Sequence, residues 1–169
     1  MKIIKTLLQV LNKEEIKKLI AQNKFKEVYR KVSRLTYFQP GWTHNLTEVF
    51  YAAGINPLAY MDEIPENFLH SSTIKYVSIP NYIKTIGYLA FSGCRNLTNI
   101  EIPDSVTTII DGAFSNCRNL KTITIPDSVR SIGVDAFYGC KNLKITCYSE
   151  KVKELIIKSG FDKNRIKVV

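Results

Sequence analysis

The stretch IPDSVTTIIDGAFSNCRNLKTIT, residues 102–124, recurs almost letter for letter on either side of itself. It is preceded by IPNYIKTIGYLAFSGCRNLTNIE from Ile79 and followed by IPDSVRSIGVDAFYGCKNLKITC from Ile125, a fixed period of 23 residues. Pro80, Pro103 and Pro126 keep step, as do Ala90, Ala113 and Ala136, and so do Phe91, Phe114 and Phe137. The same holds for Cys94, Cys117 and Cys140 and for Leu97, Leu120 and Leu143. A period in the twenties with leucine and isoleucine at these spacings predicts a stacked solenoid, because one such unit cannot bury its apolar face alone and must be covered by the next.

Within the middle unit, Leu97, Ile100 and Ile102 alternate as a short strand with one face inward. Pro103 ends its ladder, having no N–H to donate, and Asp104-Ser105 turns the chain. Val106 and Ile109 return to the core, followed by Ala113, Phe114, Cys117 and Leu120. The pattern predicts four stacked parallel strands at about 74–79, 97–102, 120–125 and 143–148. Upstream, residues 64–80 match imperfectly, with Phe68, Ile74 and Val77 in phase, and read as a degenerate first rung. Downstream, Ser149 is placed to cap a helix with Val152, Leu155 and Ile156 on one face, Gly160 ends it, and residues 165–169 read as a closing strand.

The units resemble the BspA-like leucine-rich repeats, through Ile102, Pro103, Val106, Ile109, Ala113, Phe114, Cys117, Leu120, Ile123 and their equivalents. Gly87 and Gly133 fit the family's glycine phase, whereas Ile110 departs from it and is expected to distort one turn slightly. The resemblance spans about residues 64–160 and implies adhesion or partner binding without a catalytic motif. The predicted fold class is therefore α+β: a short leucine-rich-repeat solenoid at 61–148, preceded by a basic helical region at 1–60 and closed by a helix–strand cap at 149–169.

The chain of 169 residues is 45% hydrophobic and 23% charged, a globular composition. Cys94, Cys117 and Cys140 fall once per period with no CxxC pair, which predicts a buried ladder of free thiols and argues against disulfides or zinc. Cys147 lies outside that phase. His44 and His70 are isolated from any nucleophile or carboxylate motif, and the glycines belong to repeat turns; the sequence indicates no enzyme, no cofactor and no metal. The opening MKIIKTLLQVLNKEE reads as an amphipathic helix rather than a signal peptide, so the expected location is cytoplasmic.

The net charge of +9 is uneven. Residues 1–60 hold ten Lys/Arg against four Asp/Glu, residues 61–148 eight of each, and residues 149–169 six against three. In the first sixty residues three helical stretches are predicted, with Lys13, Lys17, Lys18, Lys24, Lys26, Arg30, Lys31 and Arg34 on their outer faces. These form either a solvated surface or an electrostatic footprint for nucleic acid or an acidic protein. In the repeats, outward-facing positions form ladders: Lys75, Thr98, Lys121 and Lys144; Tyr76, Asn99 and Thr122; Ser78, Glu101 and Thr124. Arg95, Arg118 and Lys141 make a further basic row. This mixed polar surface suits a protein partner, acidic or nucleic-acid-handling. The expectation is a non-enzymatic protein-interaction module, in concrete form a bacterial or phage protein that inhibits a larger target such as a host defence effector. Nucleic-acid binding through the basic helices and a cell-surface adhesin are the alternatives.

Overall fold

In the computed structural model, which describes residues 57–169, each rung contributes two short strands rather than one. The helical stretches expected before residue 57, with Lys17, Lys18, Lys24, Lys26, Arg30, Lys31 and Arg34, lie outside the described residues. The expected series of strands is present: β2 (Tyr76–Ser78), β4 (Asn99–Glu101), β6 (Thr122–Ile125) and β8 (Lys144–Cys147). Between them run two-residue strands, β1 (Glu63–Ile64), β3 (Thr85–Ile86), β5 (Thr108–Ile109) and β7 (Ser131–Ile132), joined in the order β1-β3-β5-β7. All pairings are parallel, as a stack of equivalent units running in the same direction requires.

The core is a set of columns. Phe91, Phe114 and Phe137 are buried and lie one above another, with ring centroids 5.2 Å apart at 10° for Phe91–Phe114 and 5.7 Å at 3° for Phe114–Phe137. The expected phase of Phe68 with Phe91 is off by one: Ile64 pairs with Ile86, 22 residues on, so Leu69 takes the place below Phe91 and Phe68 that below Ala90. The two ends of this stack turn edge-on: Phe68 meets Phe91 at 82° and Phe161 of the C-terminal cap meets Phe137 at 73°. Both arrangements suit the ring quadrupole better than a direct face-to-face sandwich. Hydroxyl groups tie the rungs together on another side. Ser105 Oγ donates to the Ile83 carbonyl at 2.7 Å and Ser128 Oγ to the Val106 carbonyl at 2.8 Å. In the first rung Tyr82 takes the same place, and its hydroxyl reaches the Leu58 carbonyl at 2.9 Å.

Two residues per rung hold left-handed backbone. One column is Asn67, Leu89, Gly112 and Asp135; the other is Ser71, Gly93, Asn116 and Gly139. Ile110 does not distort its turn: its N–H reaches the Ile86 carbonyl at 2.9 Å, as Gly87 reaches Ile64 and Gly133 reaches Ile109 at 2.8 Å each. Its side chain is accommodated because it points outward, 36% exposed.

The cap follows the expected plan. Ser149 precedes α1 (Glu150–Lys158), accepts from the Val152 N–H at 3.4 Å and donates to Asp127 Oδ1 at 2.8 Å, so the cap of the helix is also a contact to the rung before. Val152 and Ile156 are buried and Leu155 half-buried. Gly160, at φ 91°, turns the chain into a short 3-10 turn and then β9 (Ile166–Val168), which pairs parallel with β8.

Candidate binding surface

The strands β2 and β4 form one two-stranded sheet and β6, β8 and β9 a second, with β4 packed against β6. Strands β2 and β4 alternate exposed, buried, exposed, and β6 and β8 continue the pattern, so one side of these strands is core and the other is open. Register fixes which open residues stand in line. Tyr76 pairs with Asn99 and Ser78 with Glu101, 23 residues apart in each case. The last rung is one residue shorter: Thr122 pairs with Lys144, Ile123 with Ile145 and Ile125 with Cys147.

That shortening corrects the expected ladders. Lys144 does not continue Lys75, Thr98 and Lys121; it joins the column Tyr76, Asn99, Thr122. Leu143 and Ile145 are one residue closer than Leu120 and Ile123, and this keeps Ile145 inward opposite Ile123 and places Lys144 opposite Thr122, which a constant 23-residue spacing does not show. The slip also gives Cys147 a place. It follows Ile79, Ile102 and Ile125 in a buried column, fully covered, where a thiol fills the space of an isoleucine.

The face so assembled has two central columns, Tyr76–Asn99–Thr122–Lys144 and Ser78–Glu101–Thr124–Thr146. Lys75, Thr98 and Lys121 flank them at the N-terminal ends of the strands and are exposed. At the C-terminal ends an open depression is lined by Asn99, Glu101, Asp104, Thr122, Thr124 and Tyr148. Tyr76, 73% exposed, and Tyr148, 55% exposed, are large aromatic groups at opposite ends of the face. Amphipathic rings on a mostly small, polar surface are the side chains that most often anchor protein partners.

The thiol ladder lies behind this surface. Cys94 donates to the Leu69 carbonyl at 2.9 Å, Cys117 to Phe91 at 3.1 Å and Cys140 to Phe114 at 3.0 Å. The neighbouring Cys140 thiol and burial push the Cys117 thiol well up, so it stays protonated and chemically inert at neutral pH. Among the described residues no group of histidine, cysteine and carboxylate side chains is placed to hold a metal ion. His70 is half-buried and its pKa is lowered by that burial. Within the same residues, no helix is long and apolar enough to cross a membrane.

One residue had no assigned role in the sequence. Arg165 seals the end of the stack: its Nε donates to the Leu143 carbonyl at 2.9 Å, Nη2 to the same carbonyl at 2.6 Å and also to the Cys140 carbonyl. The Cys140 carbonyl also accepts from the Leu143 N–H at 3.2 Å.

A family model described as the BspA type leucine rich repeat region matches in six copies over residues 62–168. The chain belongs to this family. Among solved structures, the BspA-type chain is similar to a leucine-rich repeat protein from Bacteroides ovatus, with a TM-score of 0.57 at 30% identity. The similarity covers 63% of this chain and 28% of that one, so the chain spans under a third of that protein's length. It is also similar to a leucine-rich repeat protein from Bacteroides capillosus at 28% identity, covering 49% of this chain and 62% of that one, with a TM-score of 0.45. No protein of curated function matches the BspA-type chain.

Proposed function

We propose that this chain is a non-enzymatic protein-binding module that acts inside the cell through its open sheet face. In its specific form it is a bacterial or phage protein that docks on a larger acidic or nucleic-acid-handling target, such as a host defence effector, and inhibits it. The observation that carries the reading is the open face itself. Its columns of Tyr76, Asn99, Thr122 and Lys144 and of Ser78, Glu101, Thr124 and Thr146 stand on two successive sheets, β2–β4 and β6–β8–β9, each held by parallel pairing. Membership of a leucine-rich repeat family, whose members generally mediate protein–protein interaction, supports it. The excess of Lys/Arg over Asp/Glu, 24 against 15, lies outside the charge-balanced repeats, at residues 1–60 and 149–169, and supports an acidic target whose contact extends beyond the sheet face to those ends. The test is affinity purification from a bacterial lysate with the full chain and with an Asn99→Arg/Thr122→Arg variant, read by quantitative mass spectrometry and followed by an activity assay of the captured protein. A partner retained at stoichiometric level by the parent, lost by the variant and inhibited on binding is the expected result. Equal recovery on both, or recovery of nucleic acid alone, overturns the reading.

A further inference from the structure

We infer that the lateral edge carrying Arg95, Arg118 and Lys141 is a rail for an acidic α-helix of a protein partner, laid along the stacking axis with one carboxylate per helical turn. The inference rests on the protein-binding reading above but concerns a different surface, outside the open sheet.

The three cations stand one per rung on repeated backbone. Each follows the buried cysteine, whose thiol is fixed to a carbonyl of the preceding rung at 2.9, 3.1 and 3.0 Å. Just before each cysteine the chain turns through a left-handed residue, Gly93 at φ 71°, Asn116 at 57° and Gly139 at 72°. Arg95, Arg118 and Lys141 therefore leave the scaffold from equivalent positions, one per rung. All three are exposed, and none forms an ion pair with a described residue. Asn96 adds a lock, its Nδ2 donating to the Thr73 carbonyl at 3.4 Å. Arg165, bound to the Cys140 and Leu143 carbonyls on either side of Lys141, closes the row at the cap.

The repeat of this row selects its ligand. Parallel strands set rungs about 4.8 Å apart on the sheet side. In the core of the stack, the Phe91–Phe114 and Phe114–Phe137 centroids are separated by 5.2 and 5.7 Å. An α-helix rises about 5.4 Å per turn and brings residues three and four apart onto one face. A helix with Glu or Asp at i, i+4, i+7 and i+11 thus meets one cation per turn, within the reach of long Arg and Lys side chains. Nucleic acid fits this edge less well. Duplex DNA carries a charge about every 1.7 Å along its axis, far denser than one cation per rung. Exposed Glu101 and Asp104 across the neighbouring face also oppose a polyanion, whereas an amphipathic helix confines its carboxylates to one side.

The proposal is tested by fluorescence anisotropy on the full chain at low salt with three probes. These are a 20-residue helical peptide with glutamates in the i, i+4, i+7, i+11 pattern, a peptide of identical composition with the glutamates spread round the helix, and a 20-nucleotide single strand. The patterned peptide is expected to bind about tenfold tighter than the scrambled one. The triple variant Arg95→Ser/Arg118→Ser/Lys141→Ser is expected to lose that preference with an unchanged melting temperature, since exposed cations contribute little to folding. Equal affinity for the two peptides, a preference that survives in the triple variant, or tighter binding of the nucleotide strand overturns it. The Asn99→Arg/Thr122→Arg variant leaves the peptide preference intact if the rail is real, so failure of the rail and failure of the open face are read separately.

Discussion

The guanidinium of Arg165 lies 4.6 Å from the centre of the Phe161 ring while its N–H groups hold the carbonyls of Cys140 and Leu143. One side chain thus joins the last rung to the cap through charge-assisted hydrogen bonds and a cation–π contact. Arg165→Ala should destabilise the protein by about 2 kcal/mol, because it removes hydrogen bonds from a charged donor and takes from the Leu143 carbonyl the donor that holds it, while the Cys140 carbonyl keeps the Leu143 N–H. Arg165→Lys should recover less than half, since an ammonium cannot reproduce the planar fork. Urea denaturation of the three proteins checks both.

Gly87 and Ile110 occupy equivalent turns but differ in what surrounds them. A Cβ at Gly87 would collide with the Ile64 carbonyl oxygen and come within 2.7 Å of the Pro65 carbonyl carbon, backbone atoms that cannot swing aside. Gly87→Ala should cost about 2 kcal/mol or more, at the upper end of single substitutions. Ile110→Gly, at an exposed site, should cost under about 1 kcal/mol. Thermal melts of both variants make the comparison, and equal losses would refute it.

Leu89 adopts φ 50° in a column otherwise filled by Asn67, Gly112 and Asp135. A left-handed conformation costs a branched, non-polar residue roughly 1 kcal/mol, which asparagine largely avoids. Leu89→Asn should therefore raise the urea midpoint slightly despite the lost contact of a half-buried side chain. A fall in the midpoint would show that packing against Gly112 outweighs the strain.

Cys117 supplies a pH dependence. The neighbouring Cys140 thiol and burial raise its pKa in the folded state. Below the thiol's ordinary pKa of about 8.5 both states are protonated and its contribution to stability is complete. As pH rises past that value the unfolded chain loses the proton while the folded chain retains it, and stability falls by up to about 1.4 kcal/mol per pH unit. Urea midpoints at pH 7.5 and 9.5 should drop more for the parent than for Cys117→Ala. An identical drop would place the pH sensitivity elsewhere.

The longer strand of each rung was legible because the apolar spacing of Leu97, Ile100 and Ile102 repeats in the units on either side, up to Leu120, Ile123 and Ile125, and the cap because Ser149 and Gly160 bracket one amphipathic helical sequence. The strands at Thr85–Ile86, Thr108–Ile109 and Ser131–Ile132 were not, since two residues are too few for alternation to register. Their backbone pairing depends on the neighbouring rung, which local sequence does not specify. The candidate surface was legible up to Lys121. Beyond it a missing residue between Leu143 and Ile145 leaves Leu143 in phase while Lys144 shifts column, visible only once Thr122 is seen opposite Lys144. Arg165 escaped notice because its partners are main-chain carbonyls some twenty residues earlier, which carry no side-chain signature.

The columns of stacked phenylalanine, thiol and serine have a corollary for how such a protein could change size. Residues 102–124 offer the rung on one side the same groups they receive from the rung on the other. A tandem duplication of that segment would find its seat already made, with both ends of the stack undisturbed. Each copy would lengthen the open sheet by about 4.8 Å, so reach can grow by whole increments from the middle outward while the Arg165 seal stays as it is.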